Sequence, residues 1–209
     1  MPKVISDTRQ RALPGLPIQP AGFDFTSRMR LLCEDMLGRT PELAHVDLSR
    51  VAITFSQARK GVSWGTYASL TPLRFQGGSL TTTRRGKQYQ VQRIVDPSGQ
   101  EMLYLLSFYL PRFMNLDFRE KLITVFHELW HIGPQFDGDL RRHEGRCFAH
   151  THSQAEYDRQ MGIFADRWLA QSPEAELWSF LHHNFPELHA AAGPIYGLRV
   201  KRPKLVPVT

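Results

Sequence analysis

The hydrophobic pattern of this chain changes its period once, and that change limits the folds that the chain can adopt. Four segments have the β-branched, aromatic or alternating character of strands, at residues 50–57, 65–73, 88–95 and 101–110. From Phe118 to Ile132 the apolar residues instead recur every three or four positions, which is the spacing of one helix face. Residues 23–39 show the same helical spacing, with Gly38 placed to end the helix.

This order of segments predicts an α+β fold. We expect an N-terminal helix, then an antiparallel sheet of about four strands, then the helix at 118–132 and further helices. The runs at 88–95 and 101–110 are expected to pair as a hairpin, because the DPSG sequence between them is typical of a turn. Residues 77–87 are expected to form a mobile loop between strands.

The length of 209 residues indicates one domain with additional segments at its ends. Residues 1–22 contain four prolines and little periodic pattern, which predicts an extended or disordered arm. Residues 23–192 are the expected folded domain, and residues 193–209 are the expected basic, proline-rich tail.

Histidines are concentrated in one part of the chain, since five of the nine lie between residues 123 and 161. His127 and His131 are four residues apart on a predicted helix, so their side chains share one face and can hold one metal ion. A catalytic zinc usually takes three protein ligands and a water. Glu128 lies beside the first histidine, where its carboxylate can take a proton from that water. The HELWH sequence therefore predicts a zinc site that activates water, with Glu128 as general base.

With this motif the chain resembles the zincin metallopeptidases, and in particular the SprT-like and putative phage metallopeptidase group. The resemblance covers residues 24–170 and depends on the order of a helix, strands, the HELWH helix and a histidine that opens another helix. It implies a minimal zincin-like fold, a bound zinc ion and hydrolysis of peptide bonds in a protein or peptide substrate. The longer metzincin motif is not present, because Asp137 stands six residues after His131, where that motif has a third histidine.

The resemblance also implies a third zinc ligand close to the start of the next helix, with an aromatic residue four or five positions later. His152 fits this description, because Ser153 is a helix-capping residue and Tyr157 follows five positions after the histidine. His150 lies close to the same helix start, and His143 also precedes an aromatic residue by five positions. His150 and His143 are therefore alternative ligands, or hydrogen-bond donors that stabilise the transition state.

The net charge of +6 is unevenly distributed along the chain. Residues 48–95, the acid-free stretch, contain no acidic residue and eight basic ones: Arg50, Arg59, Lys60, Arg74, Arg84, Arg85, Lys87 and Arg93. The tail adds Arg199, Lys201, Arg202 and Lys204. Positive surfaces of this kind favour nucleic acid as a partner. The alternative hypothesis is therefore a nucleic-acid-binding protein with an accessory or inactive zincin fold. A protease that acts on nucleic-acid-associated proteins would combine this hypothesis with that of a zinc metallopeptidase.

The cysteines and the apolar segments bear on the cellular compartment. Cys33 and Cys147 lie far apart and do not form a disulfide framework, which favours a reducing environment. The first ten residues contain no apolar signal core, and the apolar run at 102–110 is too short to span a bilayer. We therefore expect a cytoplasmic protein without a membrane partner.

Overall fold

The structure of the protein is a computed structural model that describes residues 3–4, 21–58, 65–142 and 154–208. Its helices are α1 (Phe25–Gly38), α2 (Phe118–Trp130), α3 (Gln154–Ala170), α4 (Ala175–Trp178) and α5 (Phe185–Ala192). Its strands are β1 (Lys3–Val4), β2 (Phe23–Asp24), β3 (Val51–Gln57), β4 (Ala68–Pro72), β5 (Thr81–Arg84), β6 (Lys87–Val91), β7 (Ile94–Val95), β8 (Tyr104–Leu110), β9 (Ile195–Tyr196) and β10 (Leu205–Pro207). The predicted α+β class is confirmed. Within the described ranges, no helix has the length and apolar character needed to cross a membrane.

The central sheet has three described strands in the order β3-β8-β4. The middle strand β8 is parallel to β3 and antiparallel to β4, so that Tyr104 aligns with Val51 and Phe108 with Ala68. Nearly every residue of β8 is buried, because this strand has a neighbour on each side and is covered on both faces. β4 has β8 on one side only, which makes it an edge of the described sheet.

The structure corrects two details of the expected sheet. The central sheet is mixed and has three described strands, where an antiparallel sheet of about four strands was expected. The segment at 88–95 does not form a hairpin with β8, and only an isolated bridge joins Val95 to Glu101. A period of two identifies a strand without identifying its partner. The long connection between β3 and β8 permits the crossover that a parallel pair requires.

The two faces of the central sheet are covered by different parts of the chain. One face packs in the main hydrophobic core against α1, α2 and α3. Its buried residues are Val51, Ile53, Tyr104, Leu106 and Phe108. The C-terminal segment covers the other face, where the Thr54 hydroxyl donates to the Leu198 carbonyl oxygen (2.9 Å) and accepts from the Val200 N–H (2.8 Å). The core thus holds β8 and α2 in a fixed relation, and β4 lies beside α2.

A second sheet has the order β10-β6-β5. β5 and β6 form a hairpin, so residues 77–87 are not the simple loop that was expected. Both turn residues have positive φ, 51° at Arg85 and 73° at Gly86, as in the tight turns that match strand twist. Arg-Gly is a weaker turn signal than Asn-Gly or Asp-Gly, which explains why the sequence did not indicate this hairpin.

Candidate metal centre

α2 carries the HELWH sequence and is fixed to the core by its buried face. Leu122, Val125, Phe126 and Leu129 are fully buried. Lys121 is also buried, and its Nζ donates hydrogen bonds to the carbonyl oxygens of Leu181 (2.7 Å) and His183 (2.8 Å). Apolar packing and these two hydrogen bonds therefore position the helix that presents the candidate ligands.

The two histidines of the motif lie together at the C-terminal end of α2. The centroids of the His127 and His131 rings are 4.6 Å apart, and the ring planes meet at 81°. His131 is the residue after the last helical one and keeps helical backbone angles, with φ −67° and ψ −15°. Its carbonyl oxygen accepts a hydrogen bond from the Arg141 N–H (2.8 Å). The predicted four-residue spacing thus brings the two imidazoles close enough to be ligands of one ion.

Glu128 is buried between α2 and β4, with 8% of its surface exposed. Its Oε2 accepts a hydrogen bond of 2.7 Å from the Leu70 N–H. Burial raises the pKa of Glu128 to about 7, and the Leu70 N–H limits this rise because it stabilises the charged form. A carboxyl group with a pKa near neutrality is suited to take up and release a proton at neutral pH.

The Leu70 contact follows from the pairing of β4 with β8. The Tyr109 N–H donates to the Tyr67 carbonyl oxygen (2.9 Å), and the Leu73 N–H donates to the Leu103 carbonyl oxygen (3.0 Å). Odd-numbered residues of β4 therefore pair with β8, and the backbone groups of the even-numbered residues point away from it. This places the Leu70 N–H on the outer side of β4, the edge of the described sheet, where Glu128 accepts it.

A cavity of about 290 Å³ lies beside Glu128. Its lining comes from the start of β4 and from one side of α2: Gly65, Thr66, Tyr67, Ala68, Glu120, Ile123, Thr124, His127 and Glu128. Ala68 and Ile123 contribute buried apolar surface, whereas Glu120 is exposed. The cavity therefore combines an apolar floor with an acidic rim and opens beside the candidate general base.

Asp139 anchors the loop that follows α2. Its carboxylate accepts hydrogen bonds from the Arg142 Nε (2.8 Å) and the Gly77 N–H (3.1 Å). Its carbonyl oxygen accepts a hydrogen bond from the Tyr104 hydroxyl (2.8 Å). Neither Tyr104 nor the Leu70 N–H was predicted from the sequence to be part of the site. A tyrosine in an apolar run does not indicate which group its hydroxyl binds. A backbone N–H is common to every residue except proline, so the sequence does not mark it.

The third ligand is not located by the structure, because His143, His150 and His152 lie outside the described residues. Within the described ranges, no group of three or more His, Cys, Asp or Glu side chains is arranged to hold a metal ion. His127 and His131 are thus two imidazole donors whose chemistry suits zinc, and the candidates for a third donor all belong to residues 143–153.

Comparisons of the chain with family models, with curated proteins and with solved structures find no match in any of the three. A functional proposal therefore depends on His127, Glu128, His131 and the edge strand β4.

Proposed function

We propose that the protein is a zinc-dependent metallopeptidase of the zincin type, resembling the SprT-like group. The position of Glu128 is the observation that supports this proposal most directly. Its buried carboxylate lies one residue from His127 and accepts the N–H of Leu70 at the edge of the described sheet. An acid–base group is thus next to two candidate metal ligands and to backbone groups that an extended peptide can pair with.

In this proposal His127 and His131 supply two ligands of the zinc ion. The third is His152, with His150 and His143 as the alternatives. When bound, zinc supplies a Lewis acid that polarises the peptide carbonyl group and acidifies a water. Three imidazole nitrogens and a water are a donor set that a catalytic zinc ordinarily has.

Glu128 has the proton-transfer role in the proposed reaction. Its carboxylate accepts a proton from the attacking water and gives a proton to the amine nitrogen as the carbon–nitrogen bond breaks. Oε2 is oriented by the Leu70 N–H at 2.7 Å. A carboxylate has lone pairs on both oxygens, so Oε1 is left for the water and then for the leaving amine.

The edge strand β4 has the role of aligning the substrate. The outward backbone groups of Ala68 can pair with an extended peptide as a further strand, which brings that peptide beside Glu128. We propose an unfolded protein or peptide as substrate, and nucleic-acid-associated proteins as one class of it. A cytoplasmic location is part of the proposal, and it agrees with the free, buried thiol of Cys33.

Zinc content tests the metal part of the proposal. Purified protein is expected to contain about one zinc per chain, and His127→Ala and His131→Ala are expected to lose it. His189→Ala is the matched control, because this histidine is exposed on α5. Zinc that persists in both His127→Ala and His131→Ala would contradict the site. The same measurement on His143→Ala, His150→Ala and His152→Ala identifies the third ligand.

Loss of the general base tests the catalytic part. Glu128→Gln keeps an acceptor for the Leu70 N–H, so it is expected to keep the fold and the zinc. Hydrolysis of an unfolded protein is expected to fall by about 10²–10⁴-fold. Glu34→Gln, an exposed position on α1, is the matched control. An unchanged rate in Glu128→Gln would refute the assigned role.

The alternative proposal is a nucleic-acid-binding protein in which the zincin fold is accessory or inactive. Wild-type protein that contains zinc but hydrolyses no unfolded substrate, with or without DNA, would favour this alternative. Of the basic residues that bear on it, Arg84 and Lys87 belong to a different sheet from β4, the strand that contacts Glu128.

A further inference from the structure

The acid-free stretch does not form one uniform positive surface, because three of its arginines converge on Glu101. Arg74 and Arg93 each form an ion pair of 2.8 Å with the Glu101 carboxylate. The Arg50 Nε donates to the Glu101 carbonyl oxygen at 3.2 Å. Glu101, just outside the stretch, thus engages all three arginines, and its carboxylate offsets one of their three positive charges.

The remaining described cations of the stretch lie together at one hairpin. Arg84, Arg85 and Lys87 are all exposed at the turn between β5 and β6, and Arg84 aligns with Lys87 across the hairpin. Among the described residues, none forms an ion pair with any of these three. The turn therefore concentrates three positive charges on a few exposed residues.

The C-terminal segment brings a second group of cations to the same sheet. β10 pairs with β6, and two further contacts extend this pairing: the Gln92 N–H donates to the Lys204 carbonyl oxygen (2.8 Å), and the Val208 N–H donates to the Gln88 carbonyl oxygen (3.0 Å). Arg202 and Lys204 are exposed next to β10. Neither residues 77–93 nor residues 193–208 contain an acidic residue. Two basic segments that are distant in sequence thus meet in one sheet, here called the basic sheet: β5, β6, β10 and residues 199–204.

One face of the basic sheet also carries an aromatic side chain. Antiparallel partners share a face, so Arg84 and Lys87 lie on the same face of the hairpin. Tyr89 is two residues after Lys87 and therefore also lies on this face, where it aligns with Thr82 and Pro207. Tyr89 is half-buried.

We propose that the basic sheet binds single-stranded nucleic acid. Cations contact the phosphates, and their favourable contribution arises from release of condensed counterions. An aromatic ring on the same face as Arg84 and Lys87 offers a surface on which a base stacks, and cations beside an aromatic ring are the usual combination in proteins that bind single strands without sequence preference. The proposal does not depend on zinc or on peptidase activity, because His127, Glu128 and His131 lie on α2 or directly after it.

Fluorescence anisotropy with a labelled oligothymidylate tests the proposal at several salt concentrations. Binding is expected at low salt, with the logarithm of affinity falling linearly with the logarithm of salt concentration. Each lost phosphate contact should reduce the steepness of this salt dependence by about 0.7. The steepness should therefore fall by about 2 in Arg84→Ala/Arg85→Ala/Lys87→Ala and by about 1.4 in Arg202→Ala/Lys204→Ala.

The matched control removes three cations elsewhere. Arg28→Ala/Arg119→Ala/Arg167→Ala changes the net charge by the same amount as the hairpin variant, and it removes three surface ion pairs and the contact of Arg167 with the Phe164 ring. This control is expected to keep the wild-type slope. An equal loss of slope in the control would overturn the proposal, since binding would then depend only on net charge.

Replacement of the aromatic ring tests the stacking contact. Tyr89→Leu is expected to weaken oligothymidylate binding about tenfold, whereas Tyr89→Phe keeps it, because stacking needs a ring and not the hydroxyl. Equal affinities of Tyr89→Leu and wild type, or equal affinities for a duplex and a single strand, would overturn the assignment to single strands. Three further results would refute the proposal. They are absence of oligothymidylate binding at low salt, a weaker salt dependence in only one of the two charge variants, and binding of polyglutamate as tight as binding of oligothymidylate.

Discussion

A proline in place of Ala68 tests whether β4 aligns the substrate. The backbone N–H of Ala68 points away from β8, while that of Ser69 points toward it. Pro72 already occupies an outward position of the same strand, so this edge accommodates proline at such positions. Ala68→Pro therefore removes one outward N–H group and leaves the pairing with β8 intact. Leu70 is not chosen, because its N–H already binds Glu128.

The expected size of the effect follows from the loss of one hydrogen bond. A typical intramolecular hydrogen bond contributes about 0.5–1.5 kcal/mol net. If the peptide pairs with the Ala68 N–H in the transition state, kcat/KM of Ala68→Pro is expected to fall by about 2–12-fold. The free energy of unfolding should change little, since no described residue accepts this N–H in the free protein and the ladder with β8 is kept.

The control is Ser69→Pro, in which the missing N–H belongs to the ladder. Loss of that donor leaves the Ser107 carbonyl oxygen of the buried strand β8 without its partner, which costs about 1–3 kcal/mol. At about 2–4 °C per kcal/mol for a chain of this size, a lower melting temperature is expected for Ser69→Pro and not for Ala68→Pro.

The assay compares kcat/KM on an extended peptide with the melting temperature of each variant. Wild-type kcat/KM in a stable Ala68→Pro protein would refute substrate alignment by β4. A melting temperature that falls as far in Ala68→Pro as in Ser69→Pro would refute the assignment of inward and outward positions.

Two further predictions concern α2. Burial lowers the pKa of Lys121 to about 8, below its ordinary value of 10.5, so the unfolded chain binds more protons between these values and stability rises with pH in this window. The free energy of unfolding of wild type relative to Lys121→Met, measured in urea, should therefore increase by at most about 3 kcal/mol from pH 8 to pH 10.5. Lys87→Met is the exposed control. A difference between wild type and Lys121→Met that stays constant with pH would contradict the buried charge. Glu120 on the rim of the 290 Å³ cavity is expected to favour peptides with Lys over Glu by about threefold in kcat/KM. Glu120→Lys should reverse this preference for Lys peptides, and the control Glu34→Lys should not. If Glu120→Lys keeps the wild-type ratio of kcat/KM between Lys and Glu peptides, the cavity does not bind a substrate side chain.

The helical part of the site could be predicted from sequence, because its determinants are local. The apolar spacing between Phe118 and Ile132 predicted α2, which runs from Phe118 to Trp130. The same spacing predicted that His127 and His131 share a face, and their rings are 4.6 Å apart. Periodicity of 3.6 residues fixes both the helix and the relation between side chains on it.

The environment of Glu128 could not be predicted, because it depends on pairing between distant segments. Its partner is the backbone N–H of Leu70, and any residue except proline offers the same donor at that position. Whether the N–H points toward β8 or away from it depends on the register with β8, and the sequence pattern did not identify this pairing. The same limit applies to β10 and β6, whose pairing joins two basic segments that look independent in the sequence.

The hydrogen bond between Glu128 and Leu70 links the chemistry of the site to the geometry of the sheet. Burial alone raises the pKa of a carboxyl group and favours its neutral form, which accepts no proton from water. The Leu70 N–H stabilises the charged form and fixes Oε2, so the carboxylate can be buried and still act as a base. β4 donates this N–H from the edge at which the peptide is proposed to pair. Displacement of β4 would therefore change the position of the substrate and the basicity of Glu128 together, which is why the strand and the helix must be held by one core.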